Sequence, residues 1–156
     1  CPIRVMVRPH SRSFVYSEQD LKEMKKTINL CNQHNFDGVV FGCLDENMEL
    51  DIKKIKYLTD LSKPLKVIIH KAIDLTSSTL NSLKQLIEIK QINGVLSSGG
   101  ADNAEHGLDN LKKMIAISPP EFEVISAGKI TNENLDYLHE KIQGKFYHGK
   151  KIVGKL

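Results

Sequence analysis

The chain has 156 residues, of which 40% are apolar and 26% are charged, and its formal net charge is +3. These values are typical of one globular domain, which we expect to span residues 1–156. No apolar run approaches the ~20 residues of a membrane span, so we expect no membrane partner. The 6% of aromatic residues is low for a basic, aromatic-lined nucleic-acid site, so we expect no nucleic-acid partner.

Six apolar runs recur along the chain, and each stops in a polar or glycine-bearing corner. They begin near residues 3, 38, 66, 93, 122 and 145 and read IRVMVRP, DGVVFG, LKVIIHKAID, INGVLSSGG, FEVISAGK and KFYHG. This spacing is close to the ~30 residues of a strand–helix unit. The runs are apolar almost throughout, which is typical of parallel strands covered on both faces.

The segments between the runs carry helix signals. Ser17 and Asp20 predict a capping box at the start of the first helix. Asp51 is the predicted N-cap of the second helix, and Thr131 that of the fifth. The later segments have apolar stripes of helical period, formed by Leu80, Leu83 and Ile87, by Ala104, Leu108, Leu111 and Ile115, and by Leu135, Leu138 and Ile142.

Six parallel strands with helices between them fit two architectures, an open doubly wound sheet or part of an eight-stranded barrel. No GxGxxG motif follows the first run, which weakens the dinucleotide-binding alternative. In both architectures the chemistry lies at the carboxyl ends of the strands. The polar corners are therefore where functional residues are expected.

The sulfur-bearing residues divide between core and active face. The chain has three cysteines and no CxxC pair, a sparse and odd set that is typical of a reducing cytoplasm. We therefore expect a cytoplasmic protein. Cys31, Met6, Met24 and Met114 fit apolar stripes and are expected in the core, whereas Cys43 lies just past the second run, near the presumed active face.

Six segments together carry a family resemblance: MVRPHSRSFVYS (residues 6–17), DGVVFG (37–42), IHKAID (69–74), LSSGG (96–100), SAGKI (126–130) and FYH (146–148). In this order they resemble the MIRPRGGDFxYS, GVVFG, FHRAFD, LTSGG, PGGGI and EFH segments of the CutC copper homeostasis family. The order and spacing hold along essentially the whole chain.

This resemblance implies a TIM-type barrel of the α/β class, with the six runs as its strands three to eight. A TIM barrel usually needs ~250 residues, so we expect an incomplete barrel with about six parallel strands and flanking helices. Such a barrel has two unpaired edges and an exposed apolar interior, and we expect the chain to form homo-oligomers through them. The alternative is a looser fold that closes the gap by rearrangement.

The chain also departs from the family pattern. HSRS at residues 10–13 replaces RGGD, and Lys71 stands where the family has arginine. The cysteines discussed as copper ligands in the family lie on its first two strands, which have no counterpart here. Copper binding is therefore not simply inherited through the resemblance.

Four residues at strand ends could carry chemistry: Arg8, His70, Asp74 and His148. His70 and Asp74 are the candidates for acid–base catalysis, since histidine titrates near neutral pH. His70 could equally be hydrogen-bonded within the barrel mouth. Arg8 could hold a carboxylate or phosphate, or form an ion pair with Asp74 or Glu46.

Two neighbouring corners, at residues 97–100 and 126–128, could bind an anion through backbone N–H groups, as such loops do in many barrels. The candidate anion-binding set is Arg8, Lys71, Ser98, Gly99, Gly100, Ala127 and Gly128. The alternative is that these glycines only permit tight turns.

Copper(I) prefers thiolate, thioether and imidazole ligands. The candidates near the barrel mouth are Cys43, His70 and His148, with Met48 as a further choice. No organic cofactor is expected. Three hypotheses therefore stand: a CutC-type protein that binds copper or confers copper tolerance, a phosphate-binding barrel enzyme that acts on a small anionic metabolite, and an inactive remnant.

Overall fold

The structure of the chain is a computed structural model, and it describes residues 2–153. Over this range, six strands alternate with five α-helices and one short 3₁₀ helix. The strands are β1 Arg4–Met6, β2 Gly38–Phe41, β3 Lys66–Ile69, β4 Ile92–Ser97, β5 Glu123–Ala127 and β6 Phe146–His148. The helices are α1 Glu18–Gln33, α2 Ile52–Leu61, α3 Thr79–Ile87, α4 Leu108–Ile117 and α5 Leu135–Ile142, and the 3₁₀ helix is Lys71–Leu75.

All six strands are parallel and lie in one sheet, in the order β1-β2-β3-β4-β5-β6. A doubly wound sheet reverses its strand order partway across, whereas here the order in space follows the order in sequence. The prediction of six parallel strands in an incomplete barrel is confirmed. In the described part of the chain, β1 and β6 each pair on one side only, so both edges of the sheet are open.

An ion pair between β1 and β5 shows that the sheet is curled. Arg4 donates two hydrogen bonds to the carboxylate of Glu123, at 2.6 and 2.8 Å. Four strand spacings separate these residues, which in a flat sheet amounts to about 19 Å. Only a strongly curved sheet brings the two side chains into contact, and the pair spans its concave face. Gly94 on β4 allows β5 to approach closely at this point, because a Cβ there would overlap the backbone of Glu123.

The two faces of the sheet differ in how well they are covered. Val39, Val67, Val95 and Val124 face the helices and belong to the main core. Successive residues of a strand point to opposite faces, so the concave face carries the alternate set Met6, Val40, Ile68, Leu96, Ile125 and Phe146. Ile68, in the middle of the sheet, is fully buried, but Met6 and Phe146 on the edge strands are 52% and 41% exposed.

Met6 was therefore wrongly predicted to lie in the core. It points into the open concave face from an edge strand, where no further strand of the described chain covers it. The predictions for Met24, Met114 and Cys31 are confirmed, since all three are buried.

The helix starts are mostly as predicted. The capping box of α1 is present, because Ser17 Oγ accepts from Asp20 N at 3.2 Å and Asp20 Oδ2 accepts from Ser17 N at 2.8 Å. Asp51 caps α2 by accepting from Lys54 N. Thr131 is not the cap of α5, which begins after Asn134. The side chain of Asn134 instead accepts from Thr131 N and closes the turn before the helix.

Helix α4 begins later than its apolar stripe suggested. Ala104 is buried, but it precedes the helix, which starts at Leu108. Between residues 2 and 153, no helix is long and apolar enough to cross a membrane.

Candidate functional site

The candidate residues gather at the carboxyl ends of the strands in two groups. The first, named here the aromatic stack, consists of Arg8 and Phe14 from the β1–α1 connection and His70 after β3. The second, named here the Asp74 nest, consists of Asp74 in the 3₁₀ helix and the corner that follows β4, residues 97–100.

In the aromatic stack, three side chains pack on one another. The guanidinium carbon of Arg8 lies 4.4 Å from the ring centroid of Phe14, in a cation–π contact. The rings of Phe14 and His70 are 4.6 Å apart between centroids. Arg8 Nε and Nη2 donate to the carbonyl oxygens of His10 and Ser11, both at 3.0 Å. These two bonds fix the guanidinium over Phe14.

The predicted alternative partners of Arg8 are not found. Among the residues that the structure describes, Arg8 forms no ion pair with Asp74, Glu46 or any other carboxylate. Its positive charge is therefore not neutralised by a neighbouring acid.

His70 is 4% exposed, and one of its two ring nitrogens is hydrogen-bonded. Its Nδ1 accepts a hydrogen bond from Ala72 N at 3.2 Å, so a neutral ring carries its proton on Nε2. This second nitrogen is buried and has no hydrogen-bond partner within residues 2–153. The prediction that His70 is hydrogen-bonded in the mouth thus holds for Nδ1 and fails for Nε2.

Burial lowers the pKa of His70 to about 4, and the nearby charge of Arg8 acts in the same direction. The imidazole is therefore neutral at pH 7. Its one basic lone pair, on Nδ1, is already used by Ala72. In this arrangement the free function of His70 is a donor N–H, which suits it to bind an acceptor atom better than to take a proton. General-base catalysis by His70 stays a prediction.

The carboxylate of Asp74 lies in the Asp74 nest, where several donors of the β4 corner converge on it. It accepts from the backbone N–H groups of Ser98 and Gly100, both at 2.9 Å, and from the hydroxyl of Ser97. Lys71 Nζ lies 3.6 Å away, and the Asp74 side chain is only 6% exposed. The chain's own carboxylate thus occupies the place where the sequence predicts a bound anion.

An external anion at Ser98 and Gly100 would have to displace Asp74, so this part of the anion site stays a prediction. The same bonds give Asp74 a structural role, since they tie the 3₁₀ helix to the end of β4. Acid–base catalysis by Asp74 likewise stays a prediction. Lys71 Nζ donates to Ser98 Oγ at 2.6 Å and is 37% exposed, so it lies at the rim of the nest.

The glycines of the two corners also serve the backbone. Gly99, Gly100 and Gly128 have φ values of +74°, +76° and +104°, a region that other residues rarely adopt. A Cβ on Gly128 would lie 2.8 Å from the Cβ of Ser98. The two predicted corners are therefore in contact, and Ala127 beside them is buried. The alternative explanation, that the glycines permit tight turns, accounts for these positions.

The proposed copper ligands are not gathered in one place. Cys43 is fully buried in the main core, and burial raises its pKa to about 12, so it is a thiol rather than a thiolate at pH 7. His148 is on the edge strand β6, and Met48 is an exposed turn residue. Within the described range, no three His, Cys, Asp or Glu side chains form a group that could hold a metal ion. Cys43, His70 and His148 are therefore not found as a three-ligand group in the described chain, and copper binding by them stays a prediction.

Phe14 is the site residue that sequence reasoning missed. It lies between Arg8 and His70 and contacts both. A signal was present, because Phe14 occupies the phenylalanine position of the family segment MIRPRGGDFxYS. Its apolar character gave no reason to assign it to a polar site.

The chain is similar in sequence to known proteins of the CutC family. It matches the sequence model of the CutC family over residues 1–153. The copper homeostasis protein cutC homolog of Mus musculus is 32% identical over 147 residues, which are 94% of this chain and 54% of that protein. The Homo sapiens protein of the same name is 31% identical with the same coverage. The chain spans about half the length of these relatives.

A solved structure supports the fold assignment. The crystal structure of CutC from Streptococcus agalactiae superposes on this chain with a TM-score of 0.90 at 25% sequence identity. The match covers 97% of this chain and 74% of that one. It agrees with a TIM-type barrel of which this chain forms part.

Proposed function

Since the chain belongs to the CutC family, we propose that it takes part in copper homeostasis in the cytoplasm, the role for which its mouse and human relatives are named. The observation that supports this proposal is the family match over residues 1–153. The cytoplasmic location is supported by the free thiols of Cys31 and Cys43, which are typical of a reducing compartment.

The proposed role is copper tolerance and not storage of the metal in a preformed site. Copper(I) needs soft, accessible ligands, whereas the Cys43 thiol is fully buried and His70 Nδ1 is already bonded. Copper binding by Cys43, His70 and His148 stays a prediction. The donor set of the single chain argues against it.

Growth and binding measurements test the two parts separately. The chain is expressed in cells that lack their own CutC protein and are exposed to raised copper, and the purified chain is titrated with Cu(I) against a competing chelator. We expect improved growth and no stoichiometric Cu(I). Unimproved growth would contradict the tolerance role. One tightly held Cu(I) per chain that disappears in Cys43→Ser would show that the copper site exists.

We also propose that two copies of the chain associate through their open concave faces. Met6 and Phe146 are large apolar side chains that are about half exposed on these faces. The edges of β1 and β6 offer unpaired backbone groups within the part of the chain described, and such edges recruit partners. A second copy would cover both features at once.

The third hypothesis, an inactive remnant, instead requires that neither copper tolerance nor ligand binding is found.

A second candidate function is that of a barrel enzyme that acts on a small anionic metabolite. One observation favours it: His70 offers a buried N–H donor beside the charge of Arg8, which no described acid neutralises. Perturbed groups of this kind cluster at functional sites.

A further inference from the structure

We propose that the aromatic stack is a closed oxyanion site, in which the guanidinium of Arg8 and the Nε2–H of His70 bind a carboxylate or phosphate oxygen once Phe14 moves aside. The proposal rests on the second candidate function, ligand binding at the barrel mouth, and is independent of the copper role. It names the ligand class and the residue that gates the site.

The charge of the site is the first argument. Arg8 has no carboxylate partner among residues 2–153. Burial raises the pKa values of Tyr16 and Cys43 to about 12 and lowers that of His70, so these three groups are neutral at pH 7. The acid Asp20 also acts on Tyr16, but its carboxylate bonds to Ser17 and lies 3.5 Å from His10 and not against Arg8. The guanidinium therefore keeps a charge that favours an anionic ligand.

The Nε2–H group of His70 is a buried donor without a partner in the described chain. A buried N–H without a partner is costly, and most such groups in proteins are paired. The bond from Ala72 N fixes the proton on Nε2 and so presents a donor, not an acceptor, at the end of the ring farthest from the backbone. A ligand oxygen would supply the acceptor that the chain itself lacks over its described range.

The two donors follow strands on the same face of the sheet. Arg8 and His70 continue the concave faces of β1 and β3, and Gly42 continues that of β2 between them. A Cβ on Gly42 would lie 2.8 Å from His70 Nδ1, so a larger residue there would push the imidazole away. Gly42 directly follows β2, and because glycine has no Cβ it leaves room for the His70 ring.

Phe14 occupies the space between the two donors. Its ring contacts both the guanidinium of Arg8 and the imidazole of His70. An aromatic ring is at best a weak hydrogen-bond acceptor. An oxyanion would be a better partner for His70 Nε2–H and for the guanidinium N–H groups that do not bond to His10 and Ser11. Phe14 is only partly buried and belongs to a connection without regular secondary structure, residues 7–17. It is the group that has to move when a ligand enters.

Nuclear magnetic resonance of the histidine rings tests the site directly. The chain with ¹⁵N-labelled histidine is titrated at pH 7 with sodium phosphate and, separately, with sodium succinate, each against sodium chloride of matched ionic strength. The ring signals of His70 are assigned by their loss in His70→Gln. We expect a saturable shift of the Nε2–H signal with at least one probe. The stronger probe shows whether the ligand oxygen belongs to a phosphate or a carboxylate.

Variants separate a built site from general charge attraction. Arg8→Gln should weaken the binding about tenfold or more, because it removes a charge-assisted hydrogen bond. Arg12→Gln is the matched control, since it removes the same charge from the same connection and should change affinity by less than about twofold. Phe14→Ala should bind at least as tightly as the parent chain, because the gate is absent.

Three outcomes would overturn the site: no saturable shift with either probe, equal weakening by Arg8→Gln and Arg12→Gln, or loss of binding in Phe14→Ala. The copper role is judged by growth and does not depend on these results. A chain that confers copper tolerance without any His70 shift keeps that role and loses this site. Binding without turnover of any anionic metabolite would keep the site and remove the enzyme function.

Discussion

Asp74 accepts a hydrogen bond from the backbone nitrogen of Ser98 at 2.9 Å, in the corner where the sequence predicts a bound anion. The Asp74 carboxylate accepts the hydrogen bonds that an external anion would accept there, with Gly100 N and the hydroxyl of Ser97 as further donors. A glycine-bearing corner after a barrel strand is therefore no sufficient sign of a ligand site. Among the described residues, the donor that remains without a partner is His70 Nε2, which follows the neighbouring strand β3 and belongs to the aromatic stack.

Asp74→Asn should destabilise the chain. The amide has no negative charge, and its NH₂ group would face the N–H donors that the carboxylate now accepts. We expect a loss of about 2–3 kcal/mol in the free energy of unfolding, measured by urea denaturation. Asp102→Asn, an exposed acid in the same corner, is the control and should change stability by less than about 0.5 kcal/mol. Equal stability of the two variants would show that the carboxylate is not held as described.

The free energy of unfolding should decrease as the pH is lowered, because His70 is buried in its neutral form. Its folded pKa is lowered to about 4, below the ~6.5 of an unfolded histidine, so the unfolded chain binds the proton first. The contribution of His70 to the free energy of unfolding is fully present above about pH 6.5. It is lost as the pH falls towards 4, and the loss is about 3 kcal/mol at most. Urea denaturation between pH 7 and pH 4 should show a smaller decline in His70→Gln than in the parent chain.

The exposed His34 provides the control for this pH effect. His34→Gln should keep the full acid decline of the parent chain, because the His34 side chain is exposed and its replacement removes no buried neutral ring. If the two histidine variants decline in parallel, His70 is not buried in its neutral form.

The ion pair of Arg4 and Glu123 should help to hold the curl of the sheet. Its two short bonds are partly buried, so a double-mutant cycle with Arg4→Met and Glu123→Gln should give a coupling energy of about 1–3 kcal/mol. The exposed pair of Lys63 and Asp60, treated in the same way, should give about 0–0.5 kcal/mol. A coupling no larger than that of the surface pair would mean that packing alone sets the curvature.

The sequence predicted the regular elements well and the contacts across the concave face poorly. The apolar runs located all six strands, because a strand covered on both faces has few polar residues. Arg4 and Glu123 are 119 positions apart, and no local pattern indicates that two such residues meet. Met6 was assigned to the core, since an apolar residue on an open face has the same pattern as a buried one.

The positions of the candidate residues at strand ends could be predicted, but their contacts could not. His70, Asp74 and Arg8 lie at strand ends as expected, because the register of a parallel sheet places them there. Whether Asp74 is a catalyst or an internal anion depends on the path of the backbone at residues 97–100. The tautomer of His70 depends in the same way on the N–H of Ala72. These are three-dimensional facts that residue types alone do not contain.

Association through the concave face can be tested at Met6. Met6→Lys places a charge on the exposed apolar face and should weaken self-association about tenfold or more, measured by sedimentation equilibrium. Met48→Lys is the matched control, since Met48 is an exposed methionine outside the sheet, and it should leave association unchanged. If both variants associate like the parent chain, the concave face is not the interface.

Native mass spectrometry of the purified chain, after incubation with Cu(I) and removal of the excess, tests the account most directly, since one spectrum reports the number of copies and the metal they retain. The account predicts a dimer without stoichiometric copper, because the open concave face needs a cover and the described residues offer no metal-ligand group. A monomer, or any assembly that retains one copper ion per chain, would contradict it.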